Sequence, residues 1–207
     1  MSDDLGFIHR FVPAEDQSAG TLLVLHGTGG NENDLVGIGQ AIAPRAAILS
    51  PRGNVLENGA PRFFRRIAEG VFDPKEVRSR GEELARFIRA AVVTYRLDPT
   101  RVFALGYSNG ANIAWSLLLK EPGALAGAIL LRAMLPFDPR PLPDLSSIPV
   151  LLIAAHDDEL IPIEGAGLLA ALLGEAGANV TYEVLRTGHG LTAEDLKLAS
   201  EWLAARR

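Results

Sequence analysis

Six short apolar runs alternate with stretches of helical rhythm, and that alternation constrains the fold more than any other feature of the chain. The runs are TLLVLHG (21–27), AAILSPRG (46–53), RVFALGYS (101–108), GAILLRAML (127–135), VLLIAAHDD (150–158) and VTYEVLRTG (180–188). Nearly continuous apolarity over this length predicts strands buried on both faces. Between them, SRGEELARFIRAAVVTYRL (79–97) carries apolar residues at 84, 87, 88, 91, 92 and 95, a 3.6-residue repeat. GANIAWSLLLK (110–120), EGAGLLAALLGEAG (164–177) and TAEDLKLASEWLAA (192–205) read as further helices. The last opens on Thr192 and Asp195, close to a capping box. Strands alternating with helices predict an α/β fold with a mostly parallel central sheet and helices on both faces. No repeat or linker divides the chain, so residues 1–207 are expected to form a single domain.

Two stretches depart from the pattern. Residues 51–78 are rich in Gly, Pro and Arg and have no clear period, which predicts a long connection of the kind that is often functional. Residues 135–149 are dense in proline and read as a surface crossing. Composition excludes several classes of function. A net charge of −5 with no long Lys/Arg run argues against a nucleic-acid partner. The tightest basic cluster, Arg62, Arg65 and Arg66, is interleaved with Phe63 and Phe64 and reads as a surface loop. The absence of cysteine removes disulfides, thiolate nucleophiles and thiolate metal sites together. The opening MSDDLGFIHR lacks the pattern of a signal peptide, and no apolar stretch reaches the ~20 residues of a membrane span, so a cytoplasmic protein with no membrane span is expected.

The five residues GYSNG (106–110) follow the apolar run RVFAL and precede a helix. A strand–turn–helix setting is what a nucleophile elbow requires. The turn is so tight that the serine backbone is strained, and glycines two residues to either side remove side chains that would collide with the neighbouring strand and helix. The helix N-terminus then directs free N–H groups and the positive end of its dipole toward the oxygen of Ser108.

A serine hydroxyl needs a base. Of the four histidines, His9 lies in the N-terminal segment and reads as a surface residue; His26 reads as an anchor for its glycine-rich loop. His156 ends a strand, and only His189 lies near the C-terminus in a glycine-flanked loop past a strand, matching the chain order Ser, acid, His. The acid must then fall between Ser108 and His189 at a strand end. Asp157 and Asp158 both qualify, and spacing does not separate them; Asp138 and Asp144 lie in the proline-dense stretch, where structural roles are expected. Two backbone N–H groups should form an oxyanion hole, one on Asn109 after the nucleophile and one in the loop of LVLHGTGG, at Thr28. That loop lacks the spacing of a P-loop or of a dinucleotide site.

Taken in order, LHGTGGNENDL, LSPRG, RFFRR, LGYSNGAN, DELIP and TGH resemble the phospholipase/carboxylesterase family of α/β-hydrolases, related to acyl-protein thioesterases and dienelactone hydrolases. The resemblance covers about residues 20–204, and the pairing of HGTGG with GYSNGAN is similar to bacterial carboxylesterases linked to quinone stress. It implies that the acid is the aspartate of Asp-x-apolar-apolar-Pro, here Asp158 before Glu159, Leu160, Ile161 and Pro162. It implies oxyanion donors at Thr28 and Asn109, and it implies a homodimer. Dienelactone hydrolases typically carry a cysteine nucleophile, which this chain lacks.

The expected activity is that of a serine carboxylesterase acting on small or single-chain esters, without metal or organic cofactor. A thioesterase or lysophospholipase would use the same groups. The alternative of another class is a hydrolase scaffold that binds a ligand without reacting. At this length no separate lid domain is expected. Phe63 and Phe64 are candidates for the pocket wall, Leu135, Pro136 and Phe137 for the acyl side, and Trp115 for core or interface.

Overall fold

All six apolar runs are strands in the computed structural model, which describes residues 5–206. The chain opens with β1 (His9–Val12), β2 (Thr21–Leu25), α1 (Val36–Ile42) and β3 (Ala47–Pro51). Two short hairpins follow, β4 (Val55–Glu57) with β5 (Ala60–Arg62), and β6 (Arg66–Ala68) with β7 (Val71–Phe72). Then come α2 (Pro74–Tyr95), β8 (Val102–Tyr107), α3 (Asn109–Lys120), β9 (Gly127–Leu131), β10 (Pro149–Ala155), α4 (Ile163–Glu175), β11 (Asn179–Leu185) and α5 (Ala193–Ala204).

Seven strands form one sheet in the order β1-β3-β2-β8-β9-β10-β11. Only β1 is antiparallel, paired with β3; every other pair is parallel. The strand residues divide by alternation, as a sheet covered on both faces requires. Leu23, Leu25, Ala104, Leu130 and Leu152 pack on one face with α2, α3 and α4. Leu22, Val24, Leu105, Ile129 and Ile153 pack on the other with α1 and α5. This is the α/β-hydrolase layout expected from the sequence, and among the described residues no separate lid domain stands over it.

The long connection at 51–78 contains both hairpins and the first turn of α2, structure that its lack of a period did not announce. The first hairpin turns at Asn58 and Gly59, both at positive φ, the signature of a tight two-residue turn. Helix α2 starts five residues earlier than the apolar rhythm suggested, because Asp73 caps it through the Lys75 N–H and Pro74 occupies its first turn. Trp115 is a core residue, 1% exposed.

The order of the sheet fixes where a site can form. From β2 the chain moves outward to β3 and then returns to the other side of β2 as β8. The connections leave the carboxyl ends of β2 and β8 in opposite directions, which opens a crevice between them.

Candidate active site

Ser108 sits in that crevice, between the end of β8 and the first residue of α3. Its backbone has φ 54° and ψ −114°, a conformation that only a tightly held turn sustains. The Ser108 N–H donates to Leu131 O of β9 at 2.9 Å, and Ser108 O accepts the first helical bond from Asn112 N–H at 3.0 Å. The two glycines are required by space: a Cβ on Gly106 would lie 2.5 Å from Gly110 O, and one on Gly110 would overlap the Leu25 carbonyl.

The structure brings His189 and Asp158 to this serine. Asp158 follows β10 and His189 follows β11, so all three residues lie beyond carboxyl ends of parallel strands. His189 Nδ1 donates to Asp158 Oδ2 at 2.8 Å, and His189 Nε2 lies 3.1 Å from Ser108 Oγ. The aspartate accepts only, so Nδ1 carries the proton and Nε2 is free to accept the serine hydroxyl. The Asp158 side chain is 1% exposed, and its Oδ1 accepts the N–H groups of Leu160 and Ile161 at 2.9 and 3.0 Å. Asp157, the other candidate, is exposed and pairs with His156, away from His189. Asp138 is an exposed partner of Arg140, and Asp144 accepts the Ser146 N–H.

Opposite the imidazole, the loop after β2 lies close against Ser108. A Cβ on Gly27 would lie 3.6 Å from Ser108 Cβ and 3.0 Å from the Tyr107 ring. Gly29 N–H is bonded to Pro61 O at 2.9 Å, and Gly30 N–H to Gly27 O at 3.1 Å. The N–H groups of Thr28 and Asn109 have no acceptor among the described residues. His26 holds the loop from below. It is 2% exposed, its Nε2 accepts Gly53 N–H at 2.9 Å, and its Nδ1 donates to Gly27 O at 2.6 Å. Burial pushes its pKa below the ordinary imidazole value, and so keeps the ring neutral.

A cavity of about 300 Å³ opens over Ser108. Phe72, Met134, Leu160 and Ile161 give it apolar surface, and Arg62, Arg66, Asn112 and Glu69 give it polar surface. Five expected wall residues, Phe63, Phe64, Leu135, Pro136 and Phe137, are not among those lining it. Phe63 packs on the His26 ring, with centroids 4.8 Å apart, and its N–H donates to Asn109 Oδ1 at 2.8 Å. Phe64 is fully buried against Phe72. Leu135 packs against the core, and Phe137 lies against Trp115 and under the Arg78 guanidinium. Their place is taken by residues that the sequence reading passed over, Phe72 and Met134.

Two further expectations are corrected. Arg62 is not a surface residue but 4% exposed; its Nη1 donates to Thr28 Oγ1 at 2.7 Å and its Nε to Phe64 O at 3.1 Å. Burial pulls its pKa below the usual guanidinium value, partly offset by the Glu57 carboxylate. His9 is half-buried and bonded to Tyr95 Oη at 2.7 Å. Tyr107 was also missed. Its hydroxyl donates to His189 O at 3.1 Å, and its position directly before Ser108 is the signal that could have found it. Among the described residues no group of three or more His, Asp or Glu side chains is arranged to hold a metal ion.

The model of the family described as phospholipase/carboxylesterase matches residues 8–206. MhqD of Bacillus subtilis (strain 168), which carries a hydrolase name, is 46% identical over 185 residues, 89% of this chain and 92% of that protein. The crystal structure of a Bacillus cereus carboxylesterase superposes with a TM-score of 0.94 at 42% identity, covering 97% of this chain and 95% of the other. A carboxylesterase structure from Mesorhizobium loti gives 0.92 at 35% identity over 98% and 96% of the two chains.

Proposed function

This chain belongs to the phospholipase/carboxylesterase family of α/β-hydrolases, and from that membership we propose that it is a serine carboxylesterase whose acyl-enzyme forms on Ser108. The family makes it an ester-hydrolysing enzyme. The observation that carries the residue assignment is the unbroken chain of contacts from Ser108 Oγ through His189 to Asp158, at 3.1 and 2.8 Å.

His189 Nε2 takes the Ser108 proton as Oγ attacks the ester carbonyl. Asp158 keeps the imidazole in the right tautomer and stabilises the imidazolium that forms. The carbonyl oxygen becomes an oxyanion, which the N–H groups of Thr28 and Asn109 receive. Each such donor is worth about 3 kcal/mol to the transition state. The imidazolium returns its proton to the leaving alkoxide, an acyl-enzyme results, and the same base then activates water to release the acid. A cavity of about 300 Å³ favours a small or single-chain ester. We take residues 1–207 as one catalytic domain, a reading supported by the single seven-stranded sheet that runs from residue 9 to residue 185. Homodimerisation and a cytoplasmic location are part of the same proposal, tested by sedimentation velocity and cell fractionation.

Reaction with a fluorophosphonate tests the assignment. One adduct on Ser108 is expected by mass and digest, absent in Ser108→Ala and slowed by about a thousandfold or more in His189→Ala. A well-folded protein that gives no adduct would overturn it and favour the binding scaffold. Kinetics on p-nitrophenyl esters, acyl thioesters and lysophospholipids, run side by side, separate the carboxylesterase from the thioesterase and lysophospholipase readings.

A further inference from the structure

We propose that Arg132 and Asp195 form a buried clamp that positions His189, so that Arg132 acts on the reaction through the loop carrying the base. The inference rests on His189 being that base.

Arg132 directly follows β9, and its φ of 53° lies in the left-handed region. A side chain at such a position costs about 1–2 kcal/mol that glycine would avoid, so the arginine must be held there by something its side chain does. Neither its side chain nor that of Asp195 has exposed surface. The guanidinium meets the carboxylate as a fork, Nη1 to Oδ1 at 2.7 Å and Nη2 to Oδ2 at 2.9 Å. Asp195 is itself fixed in the first turn of α5. Its Oδ2 accepts the N–H and the hydroxyl of Thr192, both at 2.8 Å.

Of the remaining donors of Arg132, Nη1 also reaches Ile153 O of β10 at 3.4 Å, and the other two reach the loop of the base. Nε donates to Gly188 O at 3.4 Å and Nη2 to Gly190 O at 3.2 Å. These are the carbonyls on either side of His189. The carbonyl between them, His189 O, accepts the Tyr107 hydroxyl. Three consecutive carbonyls are therefore gripped from inside the protein. Beside them Thr187 O accepts the Asp157 N–H at 3.0 Å, but crowding does little to fix the loop's glycines. A Cβ on Gly190 would meet nothing within 4 Å, and one on Gly188 would meet only Asp157 O at 3.6 Å. The fork on Asp195 orients the guanidinium, and the guanidinium sets the direction in which His189 leaves the backbone.

Stability alone does not explain this pair. A buried ion pair contributes little that well-packed apolar residues would not match, whereas a planar guanidinium can meet a carboxylate and two carbonyls at fixed angles and a lysine cannot.

The test is a double-mutant cycle on ester hydrolysis, with Arg132→Lys and Asp195→Asn each made in the natural chain and in His189→Ala. Folding is checked by circular dichroism; the asparagine keeps the α5 cap, so that a cycle remains if the lysine variant fails to fold. In the natural chain kcat should fall about 10- to 100-fold with KM within about twofold, the cost of a base displaced by a fraction of an ångström to one ångström. In the His189→Ala background the same changes should cost less than about threefold, since the group they position is gone. An equal proportional loss in both backgrounds, a loss confined to KM, or unchanged kcat would overturn the clamp. If His189→Ala itself matched the natural chain, the assignment of the base would fail, and the clamp with it, which is a different result from a failed cycle.

Discussion

A Cβ placed on Gly110 would overlap the Leu25 carbonyl and lie 2.7 Å from His26 O, so a single methyl group there must push α3 away from β2. Gly110→Ala is therefore expected to cost at least about 3 kcal/mol, seen as a lower urea midpoint, and to abolish ester hydrolysis by moving Asn109 out of line with Ser108. By contrast, a Cβ at Gly165 meets nothing within 4 Å, and helical Gly165→Ala should stabilise the chain by about 0.5–1 kcal/mol. If both changes gave the same midpoint, crowding would not be the reason for glycine at 110. The elbow was legible because its constraints are local. Strand, strained serine and helix follow one another without a break from residue 102 to residue 120, and each leaves a residue-type signature. The pocket wall was not legible for the opposite reason. Phe63 and Phe64 directly follow Arg62, which lines the cavity, yet backbone bonding at Phe63 to Asn109 and packing of Phe64 on Phe72 turn both rings into the core.

At the scale of elements, buried strands announce themselves by continuous apolarity, whereas edge and accessory elements do not. β1 reads HRFV and pairs only along one side, so its pattern is mixed. α1 is seven residues long, contains two glycines and has no capping side chain, which leaves too little rhythm to detect. The β4–β5 hairpin did carry a signal in its Asn-Gly pair. That turn matters to the site because β5 supplies Pro61 O to Gly29 N–H and the Arg62 side chain to Thr28. Gly59 has φ +83° and open space around it, so substitution there tests conformation alone. Gly59→Val should cost about 1–2 kcal/mol and lower kcat by loosening the Thr28 loop, while Gly59→Asn, which tolerates left-handed backbone, should leave both nearly unchanged. Equal urea midpoints and equal turnover for the two variants would show that this hairpin does not support the loop.

For the whole molecule, the sheet order does what no local pattern could. Ser108 and His189 stand 81 residues apart, and Asp158 and His189 31 apart, yet parallel pairing of β8, β9, β10 and β11 brings their ends to one edge. The same architecture buries His26 beneath the loop that carries Thr28, with the consequence that stability is linked to pH. Burial lowers the pKa of His26 in the folded chain; in the unfolded chain it returns to the ordinary value of 6.5. As the pH falls through that value the unfolded state binds a proton that the folded state resists, so the unfolding free energy falls with it until the folded-state pKa is also passed. Above about pH 7.5 neither state is protonated and this contribution is constant. Protonation would also convert Nε2 from an acceptor into a donor facing Gly53 N–H, breaking the bond that anchors the loop. Urea midpoints between about pH 5 and pH 8 should therefore decline on the acid side in the natural chain. His26→Gln, whose amide oxygen can accept the Gly53 N–H without titrating, should lose part of that slope. Its stability near pH 8 should fall by about 1–2 kcal/mol for the imperfect fit. An identical acid slope in the two proteins would place the pH dependence elsewhere than at His26.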